Sequence, residues 1–423
     1  MKSTLSPGAQ AWRVPGLNRQ VLLFLCHSLL FHIALLGVAD ILLNFYLVSI
    51  GYDTGTISLL QSLPRLSGFL IGLPIGLVAN RIGNRRLIVL STVGLALSVA
   101  ATALTQSLLV IALSRFFWGA CFGANQVVKS PFMVTLTPSG EHTAQFSWHN
   151  LVSMFSVAAG SALGGALPLV MSGALSIAAA GGLRPEEMPL AYRASILCAA
   201  LVLFLSALPV LLLKRRPAGA QLQRAIPGFG RSVPWRRVLR LAFPLFVFGI
   251  SGGWTFPFFN LIFRDLFDLS DSVIGGVIGL GWLFMGLLPL LNPFWEARLG
   301  RAGALTALMT VSAIAFVGFG LSQALWLAVI FYIMAIGIRN TMQPLFQPLL
   351  MASLEAEHHN IASSVGLAFW NMGWFASALS FGWLHAAVGI RAIMLLAAAF
   401  VVLNGLAIRI TALRQTTATS GAD

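Results

Sequence analysis

Apolar stretches of about 20 residues, the length a helix needs to cross a hydrocarbon layer, recur along the whole chain. This recurrence constrains the fold more than any other feature. The stretches fall at 20–50, 55–79, 87–104, 108–131, 145–172, 190–213, 239–264, 272–295, 303–321, 324–350, 361–386 and 390–411, and they predict twelve transmembrane helices. The breaks between them carry Gly, Pro, Asn and charge, as at Asn80–Arg86, Arg184–Pro189 and Arg298–Gly303. Spans of 26 residues or more are expected to tilt or to run beyond the hydrocarbon. Composition agrees: 58% of residues are hydrophobic and 9% charged, against roughly 25% charged in a soluble domain. A water-soluble fold and a disordered chain are both excluded. The expected class is an all-α integral membrane protein.

The 26 Lys and Arg exceed the 12 Asp and Glu, for a formal charge of +14. In a soluble protein that excess would point to nucleic acid, but its placement gives another meaning. With the N-terminus inside, 18 of the 26 bases fall in cytoplasmic segments: Lys2, Arg13, Arg19, Arg81, Arg85, Arg86, eight between Lys214 and Arg240, Arg298, Arg301, Arg409 and Arg414. The opposite side holds Arg184, Arg193, Arg264 and Arg391 beside six acids. By the positive-inside rule both termini are expected in the cytoplasm of a cell (inner) membrane protein. Attraction to the anionic inner leaflet follows, and nucleic acid is not expected as a partner. Cys26, Cys121 and Cys198 lie in apolar stretches without metal or disulfide spacing. No cleavable signal peptide is evident, because the first 20 residues are polar and basic and the apolar stretch after them is too long.

The longest polar stretch, Lys214–Arg237, reads as a flexible basic linker. Cutting there predicts a tail at 1–19, a six-helix bundle at 20–213, the linker at 214–238, a second six-helix bundle at 239–411 and a tail at 412–423. The halves resemble each other. ANRIGNRR aligns with EARLGRAG at a shift of 217, placing Gly83 on Gly300, and LTQSLLVI aligns with LSQALWLA at the same shift. A shift of 216 places Asn44–Phe45 on Asn260–Leu261. The run from Tyr192 also resembles the run from Ile390. Internal repeats of this kind mark secondary transporters.

The loop between helices two and three reads Gly76-Leu-Val-Ala-Asn80-Arg81-Ile-Gly83-Asn84-Arg85-Arg86. It resembles the G-x-L-(A)-D-R-x-G-R-[KR]-[KR] motif of the major facilitator superfamily (MFS), and the resemblance covers nearly the whole chain. It implies two pseudo-symmetric six-helix bundles that rock about a central cavity lined by helices one, four, five, seven, ten and eleven. In the family the motif's carboxylate locks the halves in one conformation; here Asn80 keeps the hydrogen bonding without the charge. Arg115-Phe-Phe-Trp-Gly119-Ala-Cys-Phe-Gly123 is similar to the helix-four Arg-x-x-x-Gly motif, whose Arg is associated with proton transfer in proton-coupled members. Gly160-Ser-Ala-Leu-Gly164-Gly165-Ala-Leu-Pro168 partly matches the antiporter helix-five pattern, with Gly165 at the proline position.

An ionisable side chain inside lipid costs several kcal/mol unless paired or hydrated. Five stand there: Asp40, Arg65, Arg115, Lys129 and Arg339. Asp40, the one acid, shares a helix face with Asn44. A carboxylate in a low-dielectric cavity readily takes and releases a proton near neutral pH, so Asp40 is a proton-coupling candidate, with Arg115 beside it. A structural ion pair of Asp40 with Arg115 or Arg65 is the open alternative. Helix four aligns Arg115, Gly119, Phe122, Gln126 and Lys129 on one face, expected toward a cavity. Helix ten carries Arg339, Asn340, Gln343 and Gln347, suited to polar groups and an anionic end of a substrate or to interhelical bonds. His149, Asn150, Asn260, Trp370 and Asn371 complete the candidate cavity residues, with Arg65 balanced between cavity and structure. Gly68, Gly72 and Gly76, Gly119 and Gly123, and Gly160 and Gly164 stand four apart, which lets helices approach closely.

No histidine pair has metal-site spacing, no GxxxxGK[ST] follows a strand, and no hydrolase constellation is present. Neither an enzyme nor a metal or cofactor is expected. The sequence therefore reads as a monomeric secondary active transporter of a small organic molecule, with proton-coupled export of a drug or metabolite as the first reading. Uptake of an organic anion by symport or uniport is the alternative, favoured by four intramembrane bases against one acid. A sensor or scaffold on a transporter fold is the rival of another class.

Overall fold

The computed structural model describes residues 17–138, 141–174, 188–213, 233–342, 345–346 and 359–419. The described residues form twelve helices: α1 (Arg19–Ser49), α2 (Thr54–Ile82), α3 (Asn84–Leu104), α4 (Leu108–Val134), α5 (His142–Ala174), α6 (Met188–Leu211), α7 (Trp235–Phe267), α8 (271–299), α9 (301–321), α10 (Leu325–Asn340), α11 (359–388) and α12 (390–419). Residues 1–16, 175–187, most of the basic linker and 420–423 lie outside the described residues, and the expected C-terminal tail from 412 is helical as far as Thr419.

Two turns explain why some boundaries are abrupt. Gly300 (φ 66°) separates α8 from α9 and Gly389 (φ 76°) separates α11 from α12. Both adopt the left-handed region that a side chain disfavours. Gly83, the repeat mate of Gly300, does the same between α2 and α3 with φ 87°. The 217-residue repeat read from the sequence is thus visible as the same backbone turn in both halves.

Helices one to six pack together, and helices seven to twelve do likewise. In the first half α1 lies against α5 and α6, α2 against α4, and α3 against α4 and α6. In the second α7 lies against α11, α9 against α10 and α12, and α8 against α10. The halves meet along α5–α8 and α2–α11, two contacts exchanged by the repeat. Aliphatic side chains cover the perimeter, and Leu97, Leu104, Leu113, Leu163, Leu201 and Ile314 are more than half exposed. Such a girdle is stable only against lipid, so this is a multi-pass membrane protein.

The α5–α8 seam tolerates no side chains where it crosses. A Cβ on Gly275 would stand 2.9 Å from the Gly165 Cα and at 2.5 Å from the Ser161 carbonyl. The neighbouring Gly276 faces open space. Gly275→Leu is expected to destabilise the protein by about 1–3 kcal/mol through overpacking, read as a lower unfolding midpoint in detergent micelles, whereas Gly276→Ala leaves the midpoint unchanged.

Candidate functional site

The side-chain bonds that join the halves gather near the far end, remote from Leu213 and Val233. α7 is interrupted there by a short tight turn at Phe256–Phe258. The Leu261 amide donates to Asn260 Oδ1 at 2.9 Å instead of continuing the helix ladder, so the Pro257 carbonyl is open to another donor. Asn44 on α1 fills it: its Nδ2 donates to Pro257 O at 2.6 Å and to Asn260 Oδ1 at 2.8 Å. Asn260 Nδ2 donates in return to the Ile41 carbonyl at 2.8 Å. Asn44 and Asn260 are repeat mates, and so are Ile41 and Pro257, both pairs being 216 residues apart. Each asparagine clasps the other half three residues before its mate.

This clasp continues into the first half. Gln61 Nε2 donates to Asn44 Oδ1 at 2.7 Å, and Arg115 Nη2 donates to Gln61 Oε1 at 2.9 Å. Arg115 Nε reaches the Leu60 carbonyl at 3.5 Å, and its guanidinium lies 5.0 Å from the Trp118 ring centroid. Asn44, Asn260, Gln61 and Arg115 are all buried. A guanidinium only donates. It therefore turns the Gln61 oxygen toward itself, which aims the Gln61 nitrogen at Asn44 Oδ1. The Pro257 and Ile41 carbonyls, which only accept, set Asn44 and Asn260 in the matching sense.

Asp40 begins the regular helix after a π-helical stretch, Ile33–Ala39. Its carboxylate lines a cavity of about 20 Å³, room for one water, together with Arg115, Trp118, Thr102 and apolar residues of α1, α3 and α6. Among the described residues Asp40 makes no ion pair within 4 Å. Arg115 is instead committed to Gln61. The ion pair left open by the sequence is not formed in this state.

A second cationic cluster lies across the seam. Arg339 on α10 is 3% exposed, donates to Ser251 Oγ at 3.2 Å and to the Phe248 carbonyl, and stacks 3.7 Å from the Phe248 ring centroid. Arg65 on α2 lies over Trp370 and Trp374 of α11, at 4.7 and 4.1 Å from their centroids. Phe256 bridges the two groups, 5.7 Å from Trp374 and 5.3 Å from the Arg339 guanidinium. Aromatic faces stabilise such cations by about 0.5–2 kcal/mol without neutralising them. The Trp370 indole nitrogen is buried with no hydrogen-bond partner among the described residues. The arrangement can receive an anionic or polar group beside aromatic surface.

A family model described as Major Facilitator Superfamily matches residues 25–375. The chain belongs to the Major Facilitator Superfamily. Membership makes it a transporter and not an enzyme. Similar solved structures share the fold. A bacterial homolog of the human lysosomal transporter Spinster, in an inward-facing and unoccupied conformation, has TM-score 0.74 at 13% identity, covering 93% of this chain and 97% of that one. A point mutant of the nucleoside transporter NupG has TM-score 0.72 at 14% identity over 93% and 100%. The human organic anion transporter MFSD10 (TETRAN) has TM-score 0.56 at 15% identity over 94% and 100%. No curated protein sequence matches the chain.

The remaining sequence candidates of this MFS transporter have definite places. In the motif between α2 and α3, Gly76, Asn80 and Arg81 end α2, with side chains outside the described residues. Arg85 donates to the Val210 carbonyl at 3.0 Å and to the Leu211 carbonyl, tying α3 to the end of α6, while Arg86 is exposed. His149 is buried between α1 and α5, where Ser28 Oγ joins His149 Nε2, His32 Nδ1 and Ser153 Oγ, each at 3.1 Å. Asn150 and Gln126 are exposed. Asn340 Nδ2 donates to the Met285 carbonyl at 3.2 Å, an interhelical bond to α8. Gln343 and Gln347 lie outside the described residues. Gly68 faces Asn371, which is buried; Gly119 meets the Pro64 backbone, Gly160 the Ile33 backbone and Gly164 Val38. Gly72 and Gly123 sit on α2 and α4 in register with these.

Four residues that make these contacts escaped the sequence reading. Gln61 sits between serines and leucines on α2 without an apparent partner. Arg264, Asp271 and Tyr192 read as outer-loop charge and ordinary helix. In the fold, Tyr192 of α6 donates to Asp271 Oδ2 of α8 at 2.5 Å, Arg264 pairs with Asp271, and Arg264 stacks 3.8 Å from Phe45 of α1. Together with the asparagine clasp these contacts form the far-end seal. The 216 offset of Asn44 and Asn260 was the one sequence signal for it.

Because Asn44 and Asn260 share their bonds, Asn44→Leu and Asn260→Leu are each expected to destabilise by about 1–3 kcal/mol. The double variant should fall short of their sum by about 0.5 kcal/mol or more. A double-mutant cycle from unfolding in detergent measures this, and strict additivity would show that the pair does not interact.

Proposed function

We propose that this transporter moves a small organic molecule across the cytoplasmic membrane by alternating access, coupled to protons through Asp40, in the direction of export. The basic segments on one side support an orientation with both termini and the linker in the cytoplasm. In that orientation the far-end seal is external. The observation that carries the coupling is Asp40 itself: a carboxylate on a water-sized cavity, unpaired in this state, beside an arginine that is bonded elsewhere. Such a group can gain a proton without breaking an ion pair and gains a strong partner when it loses one. Asp40→Asn in proteoliposomes is expected to abolish accumulation driven by a pH gradient while counterflow of unlabelled for labelled substrate persists. Retained pH-driven accumulation would sink the reading. Substrate-induced proton release from acid-loaded everted vesicles tests export, and its absence favours symport or uniport.

The Arg65 and Arg339 clusters favour an anionic group on the substrate, the organic-anion alternative. Neither guanidinium has an acidic partner within 4 Å among the described residues, and both present aromatic surface beside the charge. Arg339→Gln is expected to raise the half-saturation concentration for an anionic substrate by about tenfold or more, the loss of one charge-assisted bond of about 1.5–3 kcal/mol, with a smaller effect on neutral compounds. A thermal-shift screen of anionic and cationic ligands supplies the substrates. Stabilisation by cations alone would argue against this substrate charge.

Anionic lipid is the second partner this reading assigns. Arg85 and Arg86, with Val89, Leu90 and Leu211, line a cleft of about 220 Å³. Its charge and apolar walls suit a phospholipid headgroup and the start of its chains.

A further inference from the structure

One side chain touches both the far-end seal and the arginine beside the proton site. We propose that Gln61 is a positioning residue that carries the charge state of Asp40 to the seal between the halves. The proposal rests on the reading of Asp40 as the proton site.

Arg115 has two acceptors beside it, and only one is bonded in this state. That one is Gln61 Oε1, at 2.9 Å. The other is Asp40, which lines the same small cavity as Arg115 but forms no ion pair among the described residues. The charged groups around Asp40 are Arg115 from α4 and Arg65 from α2. α3 and α6 present Val99, Thr102 and Ile196, and α5 meets α1 through Gly160 and Gly164. The competition is therefore between Gln61 and Asp40 for Arg115.

The direction of the effect follows from bond strengths. With Asp40 protonated, Arg115 stays on Gln61 and polarises the amide chain, so Gln61 donates to Asn44 and Asn44 clasps Pro257 and Asn260. When Asp40 releases its proton to solvent, the carboxylate offers a charge-assisted bond roughly twice as strong as a neutral one, and Arg115 moves to it. Gln61 Oε1 then loses its donor in a buried setting. The amide is free to turn, Asn44 Oδ1 loses the bond at 2.7 Å, and the clasp loses the support of Gln61. Protonated Asp40 keeps the far end shut; ionised Asp40 lets it open. The structure holds the first arrangement.

The test uses the full chain in lipid nanodiscs, with Cys26, Cys121 and Cys198 replaced by Ala and spin labels at Gln106→Cys and Gln323→Cys. These two positions are exposed, lie in the far-end loops of opposite halves and are repeat mates. Distances between the labels report the open fraction of the far end at pH 5.5 and pH 8. In the otherwise unaltered protein that fraction is expected to rise with pH by about tenfold per unit across the titration. Asp40→Asn should be shut at both pH values. Gln61→Met, which keeps the volume but neither accepts nor donates as an amide does, should hold its open fraction constant within about twofold, and Gln61→Leu should match it. The deciding variant combines Asp40→Asn with Gln61→Met. If Gln61 transmits the charge, the double variant behaves as Gln61→Met and is no longer shut; additive effects, or a normal pH response in Gln61→Met, would reduce Gln61 to a structural side chain and overturn the proposal. If Asp40→Asn keeps the normal pH response, the reading of Asp40 fails instead, and the relay with it.

Discussion

Hydrocarbon offers no hydrogen bonds, so a side-chain amide buried within a membrane protein must find its partners in the protein. The Asn44–Asn260 clasp meets that demand by joining the two halves of the molecule. Two residues brought to the same place by an internal repeat face each other across its axis, and each satisfies the other half's backbone. The broken turn of α7 that opens the Pro257 carbonyl, the close approach of glycines along α5 and α8, and the Tyr192–Asp271–Arg264 cluster all act at the same end. They hold one end of the interface shut, the condition for a carrier that opens to one side at a time.

Charge gives this polar core its sense. Arginine cannot accept a hydrogen bond, and Arg115 accordingly orders Gln61 at one end of a series that runs through Asn44 to Asn260 over two halves and four helices. At the other end two backbone carbonyls, which only accept, fix the asparagines in the same sense. Across the seam, Arg65 is held by ring faces and Arg339 by a ring face, a serine hydroxyl and the Phe248 carbonyl, with no acid paired to either among the described residues. Aromatic contact keeps a cation in place while leaving its charge available to a ligand. The molecule thus separates two settings of arginine in lipid, one bonded into a chain of neutral amides and one held against aromatic rings.

Individual residues show what pattern reading can reach. Twelve spans, the repeat and the loop motif were legible because hydrophobic length and turn chemistry are local properties. The turn at Gly300 matched that at Gly83 as the repeat required. Asp40, Arg115, Arg65 and Arg339 stood out because a charge in an apolar run is conspicuous whatever surrounds it. Gln61 and Tyr192 carried no such mark. A glutamine or tyrosine in a membrane helix is unremarkable until another helix supplies the group it bonds. His149 and Asn340 had a conspicuous chemistry and a location only packing could reveal, the first among Ser28, His32 and Ser153, the second on the Met285 carbonyl.

By itself the sequence determined the class of fold, the number of helices, the family and the short set of charges that lipid would not tolerate without a reason. Each depends on free energies of transfer and on backbone preferences, which a chain carries residue by residue. The tertiary structure decided which acceptor Arg115 holds, that Asp40 beside it forms no ion pair among the described residues, and that two asparagines 216 residues apart close the same seam. Those are competitions between partners from different helices, decided by packing and by small differences in distance. No linear pattern encodes their outcome until the helices are packed.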